Sequence, residues 1–365
     1  MVWYACGSNG HGVLGVGDLE DRAQLTPVNA PFLLSDSELR CGGCHSAVID
    51  ADGRVYTWGS NSHGQLGYDS KAEVQLEPKL LGSFDDVCCG WQHTLLRRGT
   101  RLFACGRAVD GQLGRGSDKD LHLREVPFDE AVAGMAACWR QSLVWTAEGR
   151  LFGSGHSRKG NLGFTGKTDV FVEIPLPEGR AEKAAAGMHF CAVVLSTGRM
   201  LVLGQFLRTG LLDVETLHKA AVDFDLDGDR SSDDENDDTD EERIIDVQCG
   251  WQHLAVLTNK HNAFVLGKNN HGQAVVSDGI ARVGNVAAIA CGTQHTLLLT
   301  RTGQVHGCGW NEHGNLCSDD AVVTGGFVRL SIPGAQVAHR ILGAGAATFV
   351  DFAVVPSATA ASPHF

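Results

Sequence analysis

The chain has 365 residues, of which 43% are hydrophobic, and a formal net charge of −13. It contains no apolar run near the roughly 18 residues of a membrane-spanning helix and no recognisable secretory signal. We therefore expect no membrane association, reduced thiols at the twelve Cys, and a cytoplasmic location that extends to the nucleus. The acidic balance also argues against direct nucleic-acid binding, which requires a basic patch.

A two-part repeat covers almost the whole chain. Its opening half is Cys-Gly-x-x-His followed by Ser or Thr, and its closing half is Gly-x-Asn-x-x-Gly-x-Leu-Gly. Opening halves contain His45, His93, His253 and His295, and weaker copies start at Ala137, Ala186 and Gly343. Closing halves start at Gly7, Gly59, Gly106, Gly155, Gly204, Gly267 and Gly309. Such a period predicts a solenoid or a propeller, because one unit cannot bury its apolar face alone.

Each unit contains the pattern of a short β-hairpin. In residues 46–58 two apolar or β-branched runs flank an Asp-Gly turn at Asp52 and Gly53, the strongest local hairpin signal. The turn Gly returns at Gly99, Gly149, Gly198 and Gly303. Seven units of about 50 residues suit four-stranded blades. The sequence therefore predicts an all-β fold, a seven-bladed β-propeller.

The two ends of the chain predict how the propeller closes. Gly7 starts a closing half that has no opening half before it, and residues 341–352 form an opening half with no closing half after it. Pairing the N- and C-terminal strands would complete one blade, shared between residues 1–15 and 341–355, and would remove two unpaired sheet edges. We expect one domain, residues 1–355, followed by a flexible tail, residues 356–365.

One insert carries most of the negative charge. Residues 223–242 hold twelve Asp or Glu against one Arg, so the rest of the chain carries only −2 of the total of −13. This composition predicts a disordered, solvated loop on one rim of the propeller. The candidate contacts with a basic partner in this loop are Asp233, Asp234 and Glu235.

Two further properties of the insert stay open. Residues 223–228 match the first half of a calcium loop, but Asp rather than Glu stands at the twelfth position, so we do not predict a calcium site. Ser232 and Thr239 precede acidic residues that an acid-directed kinase would recognise. The alternative is an inert, solvated loop.

The repeated residues are predicted to be structural. A His that returns in several blades is expected to bond backbone groups rather than to perform chemistry. No nucleophile, base and orienting acid stand apart from the repeat, so we predict no enzyme, no cofactor and no metal site. The residues assigned to structure are His45, His93, His253, His295, Gly59, Gly106, Gly267 and Gly309.

The repeat resembles one family, the regulator-of-chromosome-condensation repeat proteins. Residues 58–67, Trp-Gly-Ser-Asn-Ser-His-Gly-Gln-Leu-Gly, are a full copy of that family's closing phrase, and the resemblance extends over nearly residues 1–355. It implies a seven-bladed propeller that binds another protein as a monomer. This chain has no basic N-terminal tail of the kind found in the chromatin-bound founder, so nucleosome binding is not implied.

Within this family, residues 42–48, 250–255 and 308–315 are similar to blades of the secretion-regulating guanine-nucleotide exchange factors. That similarity implies a regulator of a small GTPase. The alternative is a non-catalytic adaptor, like the fungal relative that partners a small zinc protein in diphthamide synthesis and Elongator-dependent tRNA modification. The candidate partner contacts outside the insert are Trp310, Glu312 and His313.

Overall fold

The computed structural model describes residues 2–30, 37–69, 72–118, 120–226, 240–318, 321–332 and 337–352. The strands of the first half of the chain are β1 (Val2–Gly7), β2 (Arg22–Pro27), β3 (Glu38–Cys41), β4 (His45–Ile49), β5 (Arg54–Ser60), β6 (Val74–Ser83), β7 (Asp86–Cys89), β8 (His93–Arg98), β9 (Arg101–Gly106), β10 (Arg124–Glu125), β11 (Val132–Cys138), β12 (Gln141–Thr146), β13 (Leu151–Ser157) and β14 (Gly166–Ile174). The second half contains β15 (Ala181–Ala186), β16 (Phe190–Leu195), β17 (Met200–Gly204), β18 (Gly210–Leu212), α1 (Val214–Ala220), β19 (Ala221–Phe224), β20 (Ile244–Cys249), β21 (His253–Thr258), β22 (Ala263–Gly267), β23 (Ile280–Val283), β24 (Val286–Cys291), β25 (His295–Thr300), β26 (Val305–Trp310), β27 (Val322–Arg329), β28 (Ala338–Ala344) and β29 (Ala347–Phe352).

These strands form seven sheets, which confirms the predicted seven-bladed propeller. In five blades the strands follow one another along the chain from the central channel outward, as in β3-β4-β5-β6 of blade two. Blades three, four, five, six and seven start at β7, β11, β15, β20 and β24. Six sheets have four strands, and blade six has a fifth.

Blade one is built from both ends of the chain, as the sequence predicts. β1 pairs antiparallel with β29 from Val2 opposite Phe352 to Gly7 opposite Ala347, and the strand order is β2-β1-β29-β28. Arg340 of β28 adds an ion pair to the buried carboxylate of Asp351, with Nη2 2.7 Å from Oδ2. The ring is therefore closed by main-chain pairing within one sheet.

The apolar core lies between neighbouring blades. One cluster combines Phe190 and Val202 of blade five with Val256 and Phe264 of blade six, all almost completely buried. A side chain of this size contributes roughly 1.5–3 kcal/mol when it is fully buried. Each blade is therefore stabilised mainly by its neighbours, as expected of repeat architectures.

The alternation of strand directions divides the loops between two faces. The opening turns, between the first and second strands, and the closing loops, between the third and outer strands, lie on the face we call the Trp face. The turns between the second and third strands lie on the opposite face, the hairpin face. The outer strands of the blades end on the hairpin face, and so does β19; β20, which follows the acidic insert, begins there.

Blade six departs from the expected four strands. After the outer strand of blade five comes the seven-residue helix α1, capped by Asp213, whose side chain accepts a hydrogen bond from the backbone N–H of Thr216. β19 then pairs in parallel with β23, from Ala221 opposite Ile280 to Phe224 opposite Val283. No helix in the described part of the chain is long and apolar enough to cross a bilayer.

The extra strand corrects the predicted start of the acidic insert. Asp223 and Phe224, which the composition assigns to a disordered loop, belong to β19. Two side-chain contacts hold these residues against the propeller. The Asp223 carboxylate accepts a hydrogen bond from Arg282 Nη1 at 3.1 Å, and the Phe224 ring meets the Phe327 ring edge-on at a centroid distance of 6.3 Å. Charge density alone therefore places the start of the insert too early, because residues 223–224 pair with the edge strand β23.

The Gly that starts each closing half is required twice over. At Gly106 φ is +104°, and a Cβ there would lie 2.5 Å from the carbonyl oxygen of Gln92. Gly59, Gly267 and Gly309 have the same left-handed φ and the same close approach to the neighbouring strand. This packing explains why the anchor recurs in every copy.

Replacing Gly106 with Ala is expected to destabilise the fold more than the same change at Gly160. Gly160 also has a left-handed φ, +78°, but a Cβ at this position would have no atom within 4 Å. Gly160→Ala should therefore cost only the roughly 1–2 kcal/mol of a left-handed non-Gly residue. Urea unfolding of both variants measures the difference, and equal losses would contradict the steric explanation.

Candidate partner-binding face

A central channel runs between the seven inner strands and holds a cavity of about 460 Å³ that reaches the opening turns. Its walls contain six thiols: Cys41, Cys88, Cys89, Cys138, Cys249 and Cys291. Burial raises the pKa of Cys41, Cys138 and Cys291 to about 12. These thiols are therefore protonated near neutral pH and are poor nucleophiles.

Two indole rings meet at the mouth of the channel on the Trp face. Trp91 comes from blade three and Trp251 from blade six, on opposite sides of the channel, and their ring centroids are 5.3 Å apart. Trp91 also packs on Gly43 of blade two, where a Cβ would lie 2.0 Å from the ring. Both rings are half-buried, so they present an apolar contact surface at the centre of this face.

Backbone hydrogen bonds connect the opening turns of some neighbouring blades around that mouth. In each bond the N–H of one turn donates to a carbonyl of the next blade. The bonds run from Gly43 to Gly90 at 3.3 Å, from Trp251 to Thr293 at 2.9 Å and from Thr293 to Gly345 at 2.7 Å. These bonds tie the turns of blades two and three, and those of blades six, seven and one, to one another.

The repeated His side chains connect blades in one direction around the ring. His93 Nε2 donates to Ser142 Oγ of the next blade at 2.9 Å, and that hydroxyl donates to the Gln112 carbonyl at 2.7 Å. Since the hydroxyl proton is used for the carbonyl, the His must carry its proton on Nε2. His45 bonds Thr94 Oγ1 and His295 bonds Thr348 Oγ1 in the same way, at 2.7 and 3.1 Å.

His253 has the backbone partner expected from the sequence. Its Nε2 donates to the His295 carbonyl at 3.2 Å. The other three bond the hydroxyls of Thr94, Ser142 and Thr348, because in the next blade a Ser or Thr directly after the His position lies within reach. In blade four Gln141 takes the His position, and its Nε2 donates to the Gly187 carbonyl at 2.6 Å.

Burial keeps all four rings neutral. It lowers the pKa of His45, His93 and His295 to about 3 and that of His253 to about 4. Their Nδ1 atoms are buried without a hydrogen-bond partner among the described residues. These side chains therefore hold blades together and are not available for proton transfer near neutral pH.

His93→Ala is expected to lower the free energy of unfolding by roughly 1–3 kcal/mol, because a buried donor is lost and its cavity remains. His11→Ala, a change at an exposed closing-loop His, is the control. Urea unfolding measures stability, and binding per folded molecule should be unchanged in both variants. A variant of normal stability that no longer binds its partner would show that this His is a contact residue.

Sequence comparison agrees with the geometry of the repeat. A model of the RCC1-like domain matches residues 2–350. The chain belongs to the RCC1-like domain family. It is 29% identical over 316 residues to an RCC1 repeat-containing protein of Schizosaccharomyces pombe, a match that covers 74% of this chain and 89% of that protein.

A second relative is the secretion-regulating guanine nucleotide exchange factor of Mus musculus. It is 28% identical over 301 residues, which cover 74% of this chain but only 61% of that protein. Among solved structures, Prp20p of Saccharomyces cerevisiae superposes with a TM-score of 0.80 at 15% identity, covering 98% of this chain and 92% of that one. That structure was described together with binding of Prp20p to Gsp1p and histones. This chain is therefore an RCC1-like propeller related to regulators of the exchange-factor type.

The three predicted contacts outside the insert lie in this RCC1-like propeller at the closing loop of blade seven. The Trp310 ring is half-buried and meets His313 edge-on at 5.0 Å, while Glu312 is exposed. His313 Nδ1 lies 2.6 Å from Asp21 Oδ2 of blade one. His313 thus has a role within the chain, at the junction of blades seven and one, and its contact with a partner stays a prediction.

The predicted contacts Asp233, Asp234 and Glu235 lie outside the described residues. The C-terminal end of the insert is described and is held on the hairpin face by Glu242. Its carboxylate accepts bonds from Thr258 Oγ1 at 2.6 Å and Asn262 Nδ2 at 2.7 Å and lies 2.9 Å from His218 Nε2. Burial raises the Glu242 pKa, but these bonds outweigh it and lower the pKa overall.

Sequence reasoning missed a basic cluster on the Trp face. It contains five cationic side chains: Arg107, Arg140, Arg158, Lys159 and Lys167. Arg140 lies over the Trp139 ring, and Arg107 shares the carboxylate of Asp110 with Arg140. Arg158 and Lys167 lower the pKa of His156, and Lys159 lowers that of His189. The five cations are scattered over 61 positions of the sequence, so no local charge run marks them. One feature of the sequence could have indicated the cluster. Where other blades have Gly-x-x-His, blade four has Cys138-Trp139-Arg140-Gln141.

Proposed function

We propose that this RCC1-like propeller regulates a small GTPase by promoting nucleotide exchange. The observation that carries the proposal is the match to a relative named as a guanine nucleotide exchange factor, which covers three quarters of this chain. Another Mus musculus relative is named an RCC1-like G exchanging factor-like protein and is 29% identical to this chain over 275 residues. Both are longer than the matched region, so the activity is proposed for the propeller alone.

The Trp face suits this function because hydrogen bonds join several of its opening turns and two Trp rings make its centre apolar. Exchange needs a surface that binds the GTPase more tightly without nucleotide than with it, and it needs no covalent step. The hydrogen-bonded opening turns and the Trp91–Trp251 pair supply such a surface. The protonated channel thiols and neutral His rings fit a binding role and contribute no acid–base chemistry.

A nucleotide-release assay tests the proposal. Small GTPases loaded with a fluorescent guanine nucleotide are mixed with the purified chain, and we expect faster release from at least one of them. Trp91→Ala/Trp251→Ala should remove the acceleration. Lys260→Glu/Arg301→Glu, two positions on hairpin-face turns, should leave it unchanged. Stable binding of a GTPase without faster release would favour the adaptor function, and no binding to any of them would refute the proposal.

Replacing residues 227–239 with a neutral Gly-Ser segment of equal length is expected to leave the melting temperature unchanged. The anchors at Asp223 and Glu242 remain. If the insert recruits a basic partner, the replacement should abolish that binding at low salt, where charge attraction extends furthest. A fall in melting temperature would show that the replaced residues pack on the propeller.

A further inference from the structure

The cluster around Trp139 combines positive charge with aromatic surface. The Arg140 guanidinium lies over the Trp139 ring at 4.4 Å, and the His189 and His156 rings meet the same indole edge-on at 5.2 and 6.3 Å. Trp139 itself has a φ of +37°, a left-handed value that is costly outside Gly. This strained turn presents the indole on the Trp face, between blades four and five.

The charges of the cluster are close enough to act on one another. Burial lowers the pKa of His156, and Arg158, Arg140 and Lys167 lower it further. Burial also lowers the pKa of His189, with a further effect of Lys159. Both rings thus sit in one positive field.

Among the described residues, the Asp110 carboxylate forms the ion pairs of this cluster. Asp110 Oδ2 lies 3.6 Å from Arg140 Nε and 3.7 Å from Arg107 Nε. Lys167 Nζ donates to the Val109 carbonyl at 2.7 Å, which fixes the ammonium at the same junction. Arg158 and Lys159 are exposed and form no ion pair among the described residues. The cluster therefore retains an excess positive charge next to an apolar ring.

We propose that this cluster binds an acidic segment of a partner protein, with carboxylates on the Arg and Lys side chains and an apolar residue on Trp139. The proposal rests on the proposed function and names the chemistry of the partner. The cations are spread over blades three and four, from Arg107 to Lys167, which suits an extended segment rather than one small anion.

The probe is a fluorescent dodecapeptide rich in Asp and Glu with one central Leu. We expect saturable binding that weakens as salt rises, and no binding of the matching Asn/Gln peptide. Arg158→Glu/Lys159→Glu should weaken binding by on the order of tenfold or more. The control Lys260→Glu/Arg301→Glu makes the same change in net charge on the hairpin face and should bind normally. Equal losses in both double variants, or none in the first, would overturn the proposal.

Two further measurements separate the outcomes. Peptide binding without nucleotide release from any GTPase would refute the proposed function and leave this inference intact. Nucleotide release without peptide binding would refute this inference and support the proposed function. Sedimentation of the chain with and without residues 227–239 identifies the source of the acidic segment. Association that disappears with the insert would mean that the cluster binds a second copy of this chain, which would overturn the assignment to a partner.

An independent feature is a pair of thiols at the junction of blades seven and one. Cys6 of β1 and Cys317 of the blade-seven closing loop have their Sγ atoms 2.9 Å apart. Other blades place Gly at the position of Cys317: Gly15 faces Trp58, and Gly67 faces Cys105 of the next blade. Cys317 keeps the left-handed backbone of these Gly residues, with a φ of +49°.

We infer that Cys6 and Cys317 form a reversible disulfide under peroxide. Cys317 is half-buried and Cys6 fully buried, so the Cys317 thiolate attacks the peroxide, becomes a sulfenic acid and releases water. The Cys6 sulfur then displaces the hydroxyl group as a second water, and the S–S bond forms. Two thiols are oxidised and one peroxide is reduced to two waters, and a dithiol reverses the reaction.

This bond would tie the N-terminal strand to blade seven across a loop of more than 300 residues. Cross-links over long loops restrict the unfolded chain most. We expect peroxide to remove two of the twelve thiols, to lower the mass by two hydrogens and to raise the melting temperature, all reversed by dithiothreitol. Cys317→Gly, which restores the residue of other blades, should prevent all three effects. Cys44→Ser, at a buried thiol elsewhere, is the control. Peroxide-treated protein that keeps all its thiols, or an unchanged response in Cys317→Gly, would overturn the inference.

Discussion

Lowering the pH from 7.5 to 5.5 is expected to reduce the free energy of unfolding by about 5 kcal/mol through four buried His residues. Their folded pKa values of about 3 to 4 lie below the unfolded value of 6.5. In this range the unfolded chain takes up protons that the folded chain cannot. The stabilising contribution is therefore complete above pH 6.5 and is lost as the pH falls, by roughly 1.4 kcal/mol per unit for each ring.

The control for this effect is present in the fold itself. Gln141 fills the His position in blade four and keeps the interblade bond without a titrating group. His93→Gln should therefore lower the pH dependence by about a quarter while retaining most of the stability at pH 7.5. The exposed His122, whose pKa is raised by Asp120, acts in the opposite direction. Urea unfolding at several pH values measures the slope, and a variant slope equal to that of the parent would contradict the assignment.

Deleting residues 1–15 is expected to disrupt the whole ring. β1 would be lost, β29 would have an unpaired edge, and blades seven and two would lose their neighbour. The deletion removes Trp3, Val13 and Leu14 from the core, and each such side chain contributes roughly 1.5–3 kcal/mol. We expect a large fall in melting temperature together with association through the exposed edge.

Removal of residues 356–365, the predicted flexible tail, is the matched control and should leave both properties unchanged. Differential scanning calorimetry and size-exclusion chromatography measure the two effects. A monomeric protein with the parental melting temperature after deletion of residues 1–15 would show that the ring does not depend on β1.

The fold was predictable because its determinants are repeated. Gly106, Gly267 and their equivalents have the same left-handed backbone in every blade, so seven weak signals reinforce one another. The shared blade followed from the unmatched halves at Gly7 and residues 341–352. The fifth strand β19 was missed, because a short strand paired in parallel at an edge has no hairpin signal of its own.

The surfaces were less predictable for a related reason. Trp139 and His189 meet at 5.2 Å although 50 positions separate them in the sequence. Likewise, the contact of Cys6 with Cys317 joins opposite ends of the chain. A repeat fixes where its shared residues go, but a site made from the exceptions in several blades becomes visible only when those blades are placed side by side.

The parallel strand β19 also limits edge-to-edge aggregation between copies of this protein. An exposed outer strand offers unpaired N–H and C=O groups to any passing chain, and β23 of blade six is covered against that by β19. The new edge is only four residues long and leads directly into residues 225–242, which carry a charge of −10. Short length and dense like charge both discourage edge-to-edge pairing. Blade six is thereby protected against aggregation at the point where the propeller is interrupted by its longest insertion.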